Sequence, residues 1–302
     1  MQDPDEAGMQ DERLAAYLGQ RKRLLRLAYR YLGSVSEAED IVQDAWLRFA
    51  ASADPVDSGR YLSRIVTNLC LDRQKSAQKR RETYVGPWLP EPLVEAAGSI
   101  DEHAGDVALD ISFAVMRALE RLSPLERAAL FLHDLYELSF DEIAETLQRS
   151  PAACRQMASR ARKMLRSGGP RFQARQQDVD SFVAGFARTA ETGDLGPLKQ
   201  LLARDVEFVS DGGGRARSAL NVVTGQDKVA RLLFGLYHKL YDPSAVGMRA
   251  ASINGAPGLL IDIGGKLDQT VGLAIDENGL IAAIYVVRNP DKLAAVHLPA
   301  EG

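Results

Sequence analysis

Two basic segments with helical periodicity, separated by an acidic stretch, place the strongest constraint on what this chain can fold into. Residues 60–82 carry seven basic and two acidic side chains, and residues 149–166 carry six basic side chains and no acidic one. Residues 86–110 carry six acidic side chains and no Lys or Arg. Two cationic helices joined by an anionic, proline-containing linker predict two contacts with one polyanion. Two solvated helix faces are the alternative interpretation.

The overall composition excludes several other classes of protein. The 302 residues include 37 Lys and Arg against 41 Asp and Glu, and the net charge of −4 excludes a uniformly basic coat. The two cysteines exclude a disulfide-rich secreted scaffold, and the four histidines have no metal-ligand spacing. No apolar run approaches the ~18–20 residues of a membrane span, and the acidic N-terminus differs from a signal peptide. We therefore expect a cytoplasmic protein of two or three domains without a metal or other cofactor.

Three helices are predicted within residues 11–83. Apolar residues recur with helical spacing over Asp11–Leu32. Ser36, with Glu39 three residues later, has the spacing of a capping box and predicts the start of a second helix. The apolar residues expected to be buried on that helix are Ile41, Ala45, Phe49 and either Trp46 or Leu47. A third helix leads through Tyr61–Leu71 into the first basic segment.

A second helical module is predicted over residues 108–168. Ala108–Leu122 has helical periodicity, and Ser123-Pro124 is typical of a helix start. A short helix capped by Ser139, a tight turn and a basic helix beginning at Ser150-Pro151 then predict a helix-turn-helix. The side chains expected to contact DNA bases are Arg155, Gln156, Ser159 and Arg160, and those expected to contact phosphates are Arg149, Arg162 and Lys163. A plain helical hairpin remains the alternative.

The composition changes within a third module, residues 175–296, where glycine-rich turns and β-branched runs replace the basic helices. The predicted helices are Asp178–Glu191, Leu195–Ala203 and Asp227–Leu240. The predicted strands are Val206–Ser210, Ala216–Val223, Gly247–Ile253, Leu259–Ile263, Gln269–Ile275 and Leu280–Val287, and residues 276–279 are a strong hairpin turn. Helices followed by a curved antiparallel sheet predict an α+β cone after two all-α domains.

Two segments of the first module, SVSEAEDIVQDAWLRF and YLSRIVTNLCLDRQKSAQKRR, resemble region 2 of the extracytoplasmic-function branch of the sigma-70 family. The resemblance implies that the acidic helix binds the clamp coiled coil of RNA polymerase through Glu37, Glu39, Asp40, Gln43 and Asp44. It also implies that the loop Ser52–Ser58 and the next helix read the −10 promoter element, with an unstacked base held in a pocket. The residues expected along that DNA path are Arg60, Arg64, Asn68, Arg73 and Lys75. Asn68 could equally be a mid-helix polar contact.

The helix-turn-helix resembles region 4 of the same family, which binds the −35 promoter element. Two family modules in this order are more specific than either alone, and only the acidic linker, residues 84–107, separates them. The third module resembles the nuclear-transport-factor-2-like fold in its SnoaL-like branch, which includes ketosteroid isomerases and non-catalytic pocket domains. Catalysis would need a carboxylate base such as Asp211 or Asp262 in an apolar cavity. We expect no catalytic residue, and a small hydrophobic ligand is the candidate occupant of such a cavity.

Three short motifs match the pattern of the group-41, sigma-J type of these factors, in which a fused SnoaL-like domain replaces a separate anti-sigma protein. The motifs are WLPEP (Trp88, Leu89, Pro90, Glu91, Pro92), DGGGR (Asp211, Gly212, Gly213, Gly214, Arg215) and NPDKL (Asn289, Pro290, Asp291, Lys292, Leu293). Taken singly they are a stiff linker, a glycine turn and a strand terminator. Jointly they predict that the third module packs on region 2 and on the linker and fixes the spacing of the DNA-reading modules. Any regulatory tail beyond NPDKL is expected to be very short.

The sequence thus predicts a sigma factor that brings core RNA polymerase to promoter DNA, without membrane association. One alternative is a ligand-sensing helix-turn-helix regulator that acts without polymerase, although it leaves the acidic helix unexplained. Another is a polyketide- or steroid-type enzyme with a DNA-binding tether. Cys70 and Cys154 allow a thiol switch, but small helix-packing residues are the more ordinary interpretation.

Overall fold

The computed structural model of the protein describes residues 4–52, 57–95, 111–167, 172–240, 245–294 and 296. These residues form two compact units. The first unit takes the described residues up to Glu82 together with Ala118–Ser167, and the second takes the remainder. The beginning of the predicted linker therefore folds with the third module. The remaining linker residues, 96–107, lie outside the described part, as do residues 53–56 of the predicted −10 loop and residues 108–110.

Helices alone build the first unit. They are α1 Pro4–Leu32, α2 Val35–Ala50, α3 Ser58–Glu82, α4 Phe113–Glu120, α5 Pro124–Asp134, α6 Phe140–Leu147 and α7 Pro151–Ser167. Of these, α4 begins in the second unit and ends in the first. The expected cap of α2 at Ser36 is wrong, because the Oγ atom of Ser34 accepts the backbone N–H of Glu37 at 3.3 Å. None of the described helices is long and apolar enough to cross a membrane.

The first three helices pack on one another around a shared apolar core. On α2 the choice between Trp46 and Leu47 is resolved in favour of Trp46, whose ring lies 5.0 Å from that of Tyr17. Leu47 is 61% exposed. The buried guanidinium of Arg127, on α5, donates to the carbonyl oxygens of Tyr31 at 2.9 Å and Leu119 at 2.7 Å. Because the last carbonyls of a helix lack partners within it, Arg127 ties the C-terminal ends of α1 and α4 to α5.

The second unit is a sheet with helices. The strands are β1 Val94–Glu95, β2 Phe172–Gln173, β3 Leu202–Asp211, β4 Val223–Thr224, β5 Val246–Ile253, β6 Ala256–Ile263, β7 Lys266–Ile275 and β8 Ile281–Val287. The helices are α8 Gln176–Thr192, α9 Gly196–Lys199, α10 Gln226–Leu240 and α11 Pro290–Leu293. The strand order is β1-β5-β6-β7-β8-β3-β4, with β2 paired to β7. β3 and β8 run parallel, and the other recorded pairs are antiparallel.

Two predicted elements of this unit are wrong in extent. The strand predicted over Ala216–Val223 is reduced to Val223–Thr224, because a turn in which the Ala216 N–H donates to Gly212 O occupies the preceding residues. The helix predicted over Leu195–Ala203 ends at Lys199, because the chain enters β3 at Leu202. The hairpin turn at 276–279 is confirmed: the Asp276 carboxylate accepts the N–H groups of residues 278 and 280, each at 2.9 Å.

Both faces of the sheet are covered. On one face α8, α9 and α10 pack their apolar side chains, such as Phe182, against Phe208 and Ile284. On the other face the linker contributes Leu89 and the start of α4 contributes Phe113, and both pack with Tyr285 in a second apolar cluster. The linker is therefore part of a core, because Leu89 is fully buried there.

Candidate functional site

The acidic face predicted on α2 lies at the surface. Asp40, Gln43, Asp44 and Leu47 are all exposed. Positions i, i+3, i+4 and i+7 share one side of a helix, so the two carboxylates border an exposed apolar side chain. Glu39 is also exposed, whereas Glu37 is half-buried in the first turn. The sequence left open whether Leu47 belongs to this surface.

The predicted −10 residues of α3 follow one side of the helix, at the i, i+4, i+8 positions of Arg60, Arg64 and Asn68. Arg64 Nη2 lies 2.9 Å from Oε1 of Glu142 on α6, and Arg60 Nη1 lies 3.7 Å from Oε2 of the same carboxylate. Arg60 also donates to the Glu137 carbonyl oxygen at 3.2 Å. Asn68 is exposed, so its amide faces solvent. Both arginines are therefore paired with the module predicted to read the −35 element, and both remain partly exposed.

Arg73 is half-buried further along α3, and the side chain of Lys75 lies outside the described residues.

Glu142 also caps the start of α6. It forms a capping box with Ser139, whose backbone N–H donates to Glu142 Oε2 at 2.8 Å. The Ser139 backbone and hydroxyl hydrogen bonds lower the pKa of Glu142, with smaller contributions from Arg64 and Arg60. The carboxylate thus stays charged and held in place where the two arginines meet it.

The predicted helix-turn-helix is formed by α6 and α7. Gln148 adopts a left-handed conformation, with a φ of 52°, and ends α6. The Ser150 hydroxyl then accepts the Ala153 N–H at 3.2 Å and caps the start of α7. Ala144 and Cys154 are buried where the two helices approach.

The candidate −35 side chains lie on α7 and, for Arg149, in the turn before it, and they differ in exposure and partners. Arg149, Arg155, Gln156, Ser159, Arg160 and Lys163 are exposed, and Arg162 is half-buried. Arg160 is paired with Glu126 at 2.8 Å, and this hydrogen bond is the main cause of the lowered pKa of Glu126. Arg162 donates to Asp134 at 2.9 Å. Of the predicted −35 contacts, these two arginines therefore already have carboxylate partners within the first unit.

The three motifs of the linker and the third module meet around one buried carboxylate. Asp211, at the end of β3, has no exposed surface. Its Oδ2 atom accepts the Leu89 N–H at 2.8 Å and the Lys292 ammonium at 2.7 Å. Its Oδ1 atom accepts the Tyr84 hydroxyl at 2.6 Å and the Gly213 N–H at 3.0 Å. We call Tyr84, Trp88, Leu89, Asp211, Asn289 and Lys292 the linker lock.

Lys292 completes the linker lock from the NPDKL motif. It is 8% exposed, and its ammonium also donates to the Leu89 carbonyl oxygen. The ammonium lies 4.3 Å from the ring centroid of Trp88 and 5.0 Å from that of Tyr84. Asn289 caps α11 and donates to the Tyr84 hydroxyl at 2.8 Å. Burial, followed by the Asp211 hydrogen bond, raises the pKa of Tyr84, which keeps its hydroxyl a donor.

The glycines of the DGGGR motif allow this close approach. Gly213 has a φ of 59°, and a Cβ atom there would lie 3.0 Å from the Tyr84 hydroxyl and overlap Asn289. Gly214 has a φ of 71°, and a Cβ atom there would lie 3.1 Å from Val85. A side chain at Gly213 would thus be strained by its backbone and obstructed by the lock.

The remaining motif residues frame the lock. Pro90, Pro92 and Gly212 are buried, Glu91 and Leu293 are half-buried, and Pro290 is exposed. Arg215 and Asp291 form an ion pair, but both side chains are more than 60% exposed. The motifs thus supply one buried and one solvent-exposed ion pair.

A functional residue that sequence reasoning missed is Asn254, in the turn between β5 and β6. Its Oδ1 atom accepts the Leu93 N–H at 2.9 Å, and its backbone N–H donates to the Leu93 carbonyl at 2.8 Å. Its Nδ2 atom donates to the Ile111 carbonyl at 3.0 Å. One buried side chain therefore holds the chain on both sides of residues 96–110. The Asn-Gly pair was a turn signal, but nothing in it indicated these distant partners.

Neither cysteine has the surroundings of a reactive thiol. Cys70 and Cys154 are both buried, and burial raises the pKa of each thiol. A protonated, buried thiol reacts slowly, so packing is the better supported interpretation. Within the described residues no group of three or more His, Cys, Asp or Glu could hold a metal ion.

Comparison with known proteins places both helical modules. The Sigma-70 region 2 family model matches residues 17–80, and the Sigma-70 region 4 model matches residues 112–165. The chain is similar to the ECF RNA polymerase sigma factor SigJ of Mycobacterium tuberculosis, with 40% identity over 288 residues and 90% of each chain covered. The probable ECF RNA polymerase sigma factor SigI of the same species is 31% identical, over 92% of this chain and 94% of that protein.

The structure gives the same relationship over nearly the full length. The crystal structure of Mycobacterium tuberculosis SigJ has a TM-score of 0.75 and 36% identity, and the match covers 95% of this chain and all of that one. The similarity therefore includes the α+β module as well as the two helical modules. The predicted fold class and family are confirmed. This chain belongs to the extracytoplasmic-function sigma factors of the sigma-70 family, which direct core RNA polymerase to promoters.

Proposed function

We propose that α2 docks this sigma factor on core RNA polymerase, that α3 and α7 contact the −10 and −35 elements, and that the second unit regulates both in cis. The exposed carboxylates of Asp40 and Asp44 beside exposed Leu47 support docking on a basic partner helix. Charged groups would steer the encounter, and the apolar side chain would be buried in it. The exposed cations of α7 suit DNA phosphates.

We propose that the first unit opens when it binds promoter DNA. The carboxylate of Glu142 forms ion pairs with the guanidinium groups of Arg60 and Arg64, which we expect DNA phosphates to contact. Separation of α3 from α6 would remove the Glu142 carboxylate and leave both guanidinium groups free to contact phosphate. We therefore propose that the paired arrangement of α3 and α6 is a closed form in which Arg60 and Arg64 are less available to DNA.

The regulatory proposal rests on one observation: the Leu89 N–H and the Lys292 ammonium both donate hydrogen bonds to the buried Asp211 carboxylate. The linker joins the two promoter-reading modules, so its attachment limits how far they can separate. Asn254 adds a second attachment through Leu93 and Ile111. We propose that this control in cis makes a separate anti-sigma protein unnecessary.

The same contacts argue against catalysis in the second unit. Sigma factors of this family are not enzymes. Of the two candidate bases, Asp211 is engaged in the linker lock and Asp262 lies 2.9 Å from Arg249. Both carboxylates are thus hydrogen-bonded to basic side chains, and neither lines the apolar cavity of this unit.

Polymerase docking is tested by charge reversal on α2. We expect the double variant Asp40→Lys/Asp44→Lys to lose at least about tenfold in affinity for purified core polymerase and to fail in run-off transcription, because like charges would face each other. Asp11→Lys/Glu12→Lys, on exposed positions of α1, makes the same change in charge and should bind normally. Equal binding by both double variants would contradict docking through α2.

A further inference from the structure

The second unit contains a cavity of about 660 Å³ between its helices and one face of the sheet. Its interior is apolar, and Phe208, Leu259, Ile284 and Val286 are buried lining residues. Binding sites for small molecules typically have volumes of ~300–1,000 Å³ and are lined mainly by apolar side chains. The cavity is thus large enough for a small molecule with an apolar body.

Two polar side chains of the cavity lining, Gln269 and Arg288, lie at one end of the sheet. Gln269 faces Ile261 on β6, and Arg288 directly follows β8, whose last residue pairs with Thr270. Arg288 lies 2.9 Å from Asp268 and donates to the Arg217 carbonyl oxygen at 2.8 Å. At this end of the cavity the Arg288 guanidinium, fixed by its hydrogen bonds, and the Gln269 amide therefore lie beside the apolar interior.

The charge on the cavity wall has one sign. Arg217, Arg231 and Arg288 all line it, whereas its described lining includes no carboxylate and no histidine. Arg217 and Arg231 are exposed, so they stand at the opening, and neither forms an ion pair with a described residue. Guanidinium groups bind carboxylate and similar anions in charge-assisted pairs. Asp227, whose carboxylate interacts with Arg231, is itself paired with Lys199, so an anionic group at the opening would add a counter-charge to both arginines.

We propose that the cavity binds a small amphipathic acid, with its apolar body in the interior and its acidic head between Arg217 and Arg231. The proposal concerns binding alone: the described lining includes Tyr237 but no carboxylate or histidine. This binding is a property of the second unit and does not depend on the proposed control of transcription.

The position of the site gives the ligand access to the linker lock. Ser210 lines the cavity and precedes Asp211, and Arg288 lines it and precedes Asn289. The Arg288 N–H donates to the Asp211 carbonyl oxygen at 2.7 Å. The ends of β3 and β8 therefore have one residue in the cavity and the next in the lock.

A matched pair of fluorescent probes tests the proposal on the full-length protein. Anilinonaphthalene sulfonate carries an anionic group, and N-phenylnaphthylamine has the same ring systems without it. We expect the sulfonate to bind at least about tenfold more tightly. The variant Arg217→Met/Arg231→Met should lose that advantage and keep its affinity for the neutral probe. Arg204→Met, an exposed position of β3 outside the cavity, should bind both probes like the wild type.

A second variant tests the location. Val286→Phe fills the cavity and should weaken binding of both probes about tenfold, with near-ultraviolet circular dichroism as the check on folding. Equal affinity of the two probes for the wild type, or unchanged sulfonate binding by the arginine double variant, would overturn the proposal. The arginine variants change exposed side chains, so their result stands even if the Phe variant fails to fold. Retention of both probes by a folded Val286→Phe protein would also overturn it.

Discussion

Asp211 is a carboxylate with no exposed surface, and it is stable there because four donors surround it. Removing a charge from water costs several kcal/mol, and the cost is offset only when the partners are well placed. Lys292 and the Leu89 N–H are two of those partners, so the same contacts that stabilise the carboxylate attach the linker. The sequence could single out Asp211 through its glycine turn, but it gave no sign of the Tyr84 hydroxyl.

We predict that Asp211→Asn destabilises the second unit by about 3 kcal/mol, because it leaves the Lys292 ammonium buried without a counter-charge. Urea unfolding would measure the change. Asp291→Asn removes a carboxylate from the exposed pair with Arg215 and should cost less than about 1 kcal/mol. We also expect Asp211→Asn to change run-off transcription at least about fivefold while core polymerase binding is kept. Transcription equal to that of the wild type would contradict control through the lock.

Glu142 offers a prediction about the closed form of the first unit. Glu142→Gln keeps the capping box, because Gln serves at that position, but removes the charge that holds Arg60 and Arg64. We expect affinity for a single-stranded DNA of mixed sequence to rise about threefold, because a partly exposed ion pair contributes less than about 1 kcal/mol. Fluorescence anisotropy would measure it, with Glu145→Gln, an exposed position on the same helix, as the control.

Acid should act in the same direction as Glu142→Gln. The pKa of Glu142 is lowered in the folded protein. A lowered pKa means that the carboxylate stabilises the fold above its ordinary pKa of ~4.3 and loses that effect as pH falls through the folded value. We therefore expect the DNA affinity of the wild type to rise as the pH falls below ~4.3, and that of Glu142→Gln to rise less, because the variant lacks this carboxylate. An identical gain in both proteins would contradict the role given to Glu142.

At the scale of elements, local signals predicted most helices. Ser123-Pro124, Ser139 and Ser150-Pro151 marked the starts of α5, α6 and α7, because a cap is a local hydrogen-bonding pattern. The short strand β1 was missed, because two residues of linker carry no strand periodicity and their pairing with Ser252 and Ile253 is distant in sequence. The strand predicted over 216–223 shows the reverse case, in which only its last residue, Val223, pairs with another strand. Whether a segment forms a strand depends on the strands it pairs with, and a local sequence pattern does not identify those partners.

The β5–β6 turn carries the prediction for this scale. Asn254→Gly should keep the turn, since the residue has a φ of 53° that glycine adopts freely, but it removes the side-chain hydrogen bonds to Leu93 in the linker and to Ile111 after it. We expect the free energy of unfolding to fall by about 2 kcal/mol and hydrogen exchange at Leu93 to accelerate. Asn278→Gly, in the exposed turn before β8, should change neither. Unchanged exchange at Leu93 would contradict the double attachment.

Over the whole molecule, a net charge of −4 coexists with a cationic recognition helix. Affinity for promoter DNA must therefore come from local phosphate contacts, and it should fall steeply with salt. The sequence could predict this, because charge runs are visible in it. It could not predict the closure of the first unit, because the Arg64–Glu142 pair joins residues from separate modules.

We predict that Lys163→Ala lowers the slope of log affinity against log salt by about 1 for the polymerase holoenzyme on a promoter fragment. The loss should be similar for different promoter sequences, since a phosphate contact carries no base information. Lys228→Ala, at an exposed position of α10 in the second unit, is the control and should leave the slope unchanged. An unaltered slope for Lys163→Ala would remove that residue from the DNA interface.

The placement of the indole of Trp88 over the Lys292 ammonium has a practical consequence. The chain has only two tryptophans, and the other, Trp46, packs with Tyr17 and Phe49 in the first unit. Exchanging Trp46 for Phe would leave one indole, and its emission would shift when the neighbouring ammonium departs. The protein thus carries a built-in optical reporter with which release of the linker could be timed in stopped flow, with no attached dye.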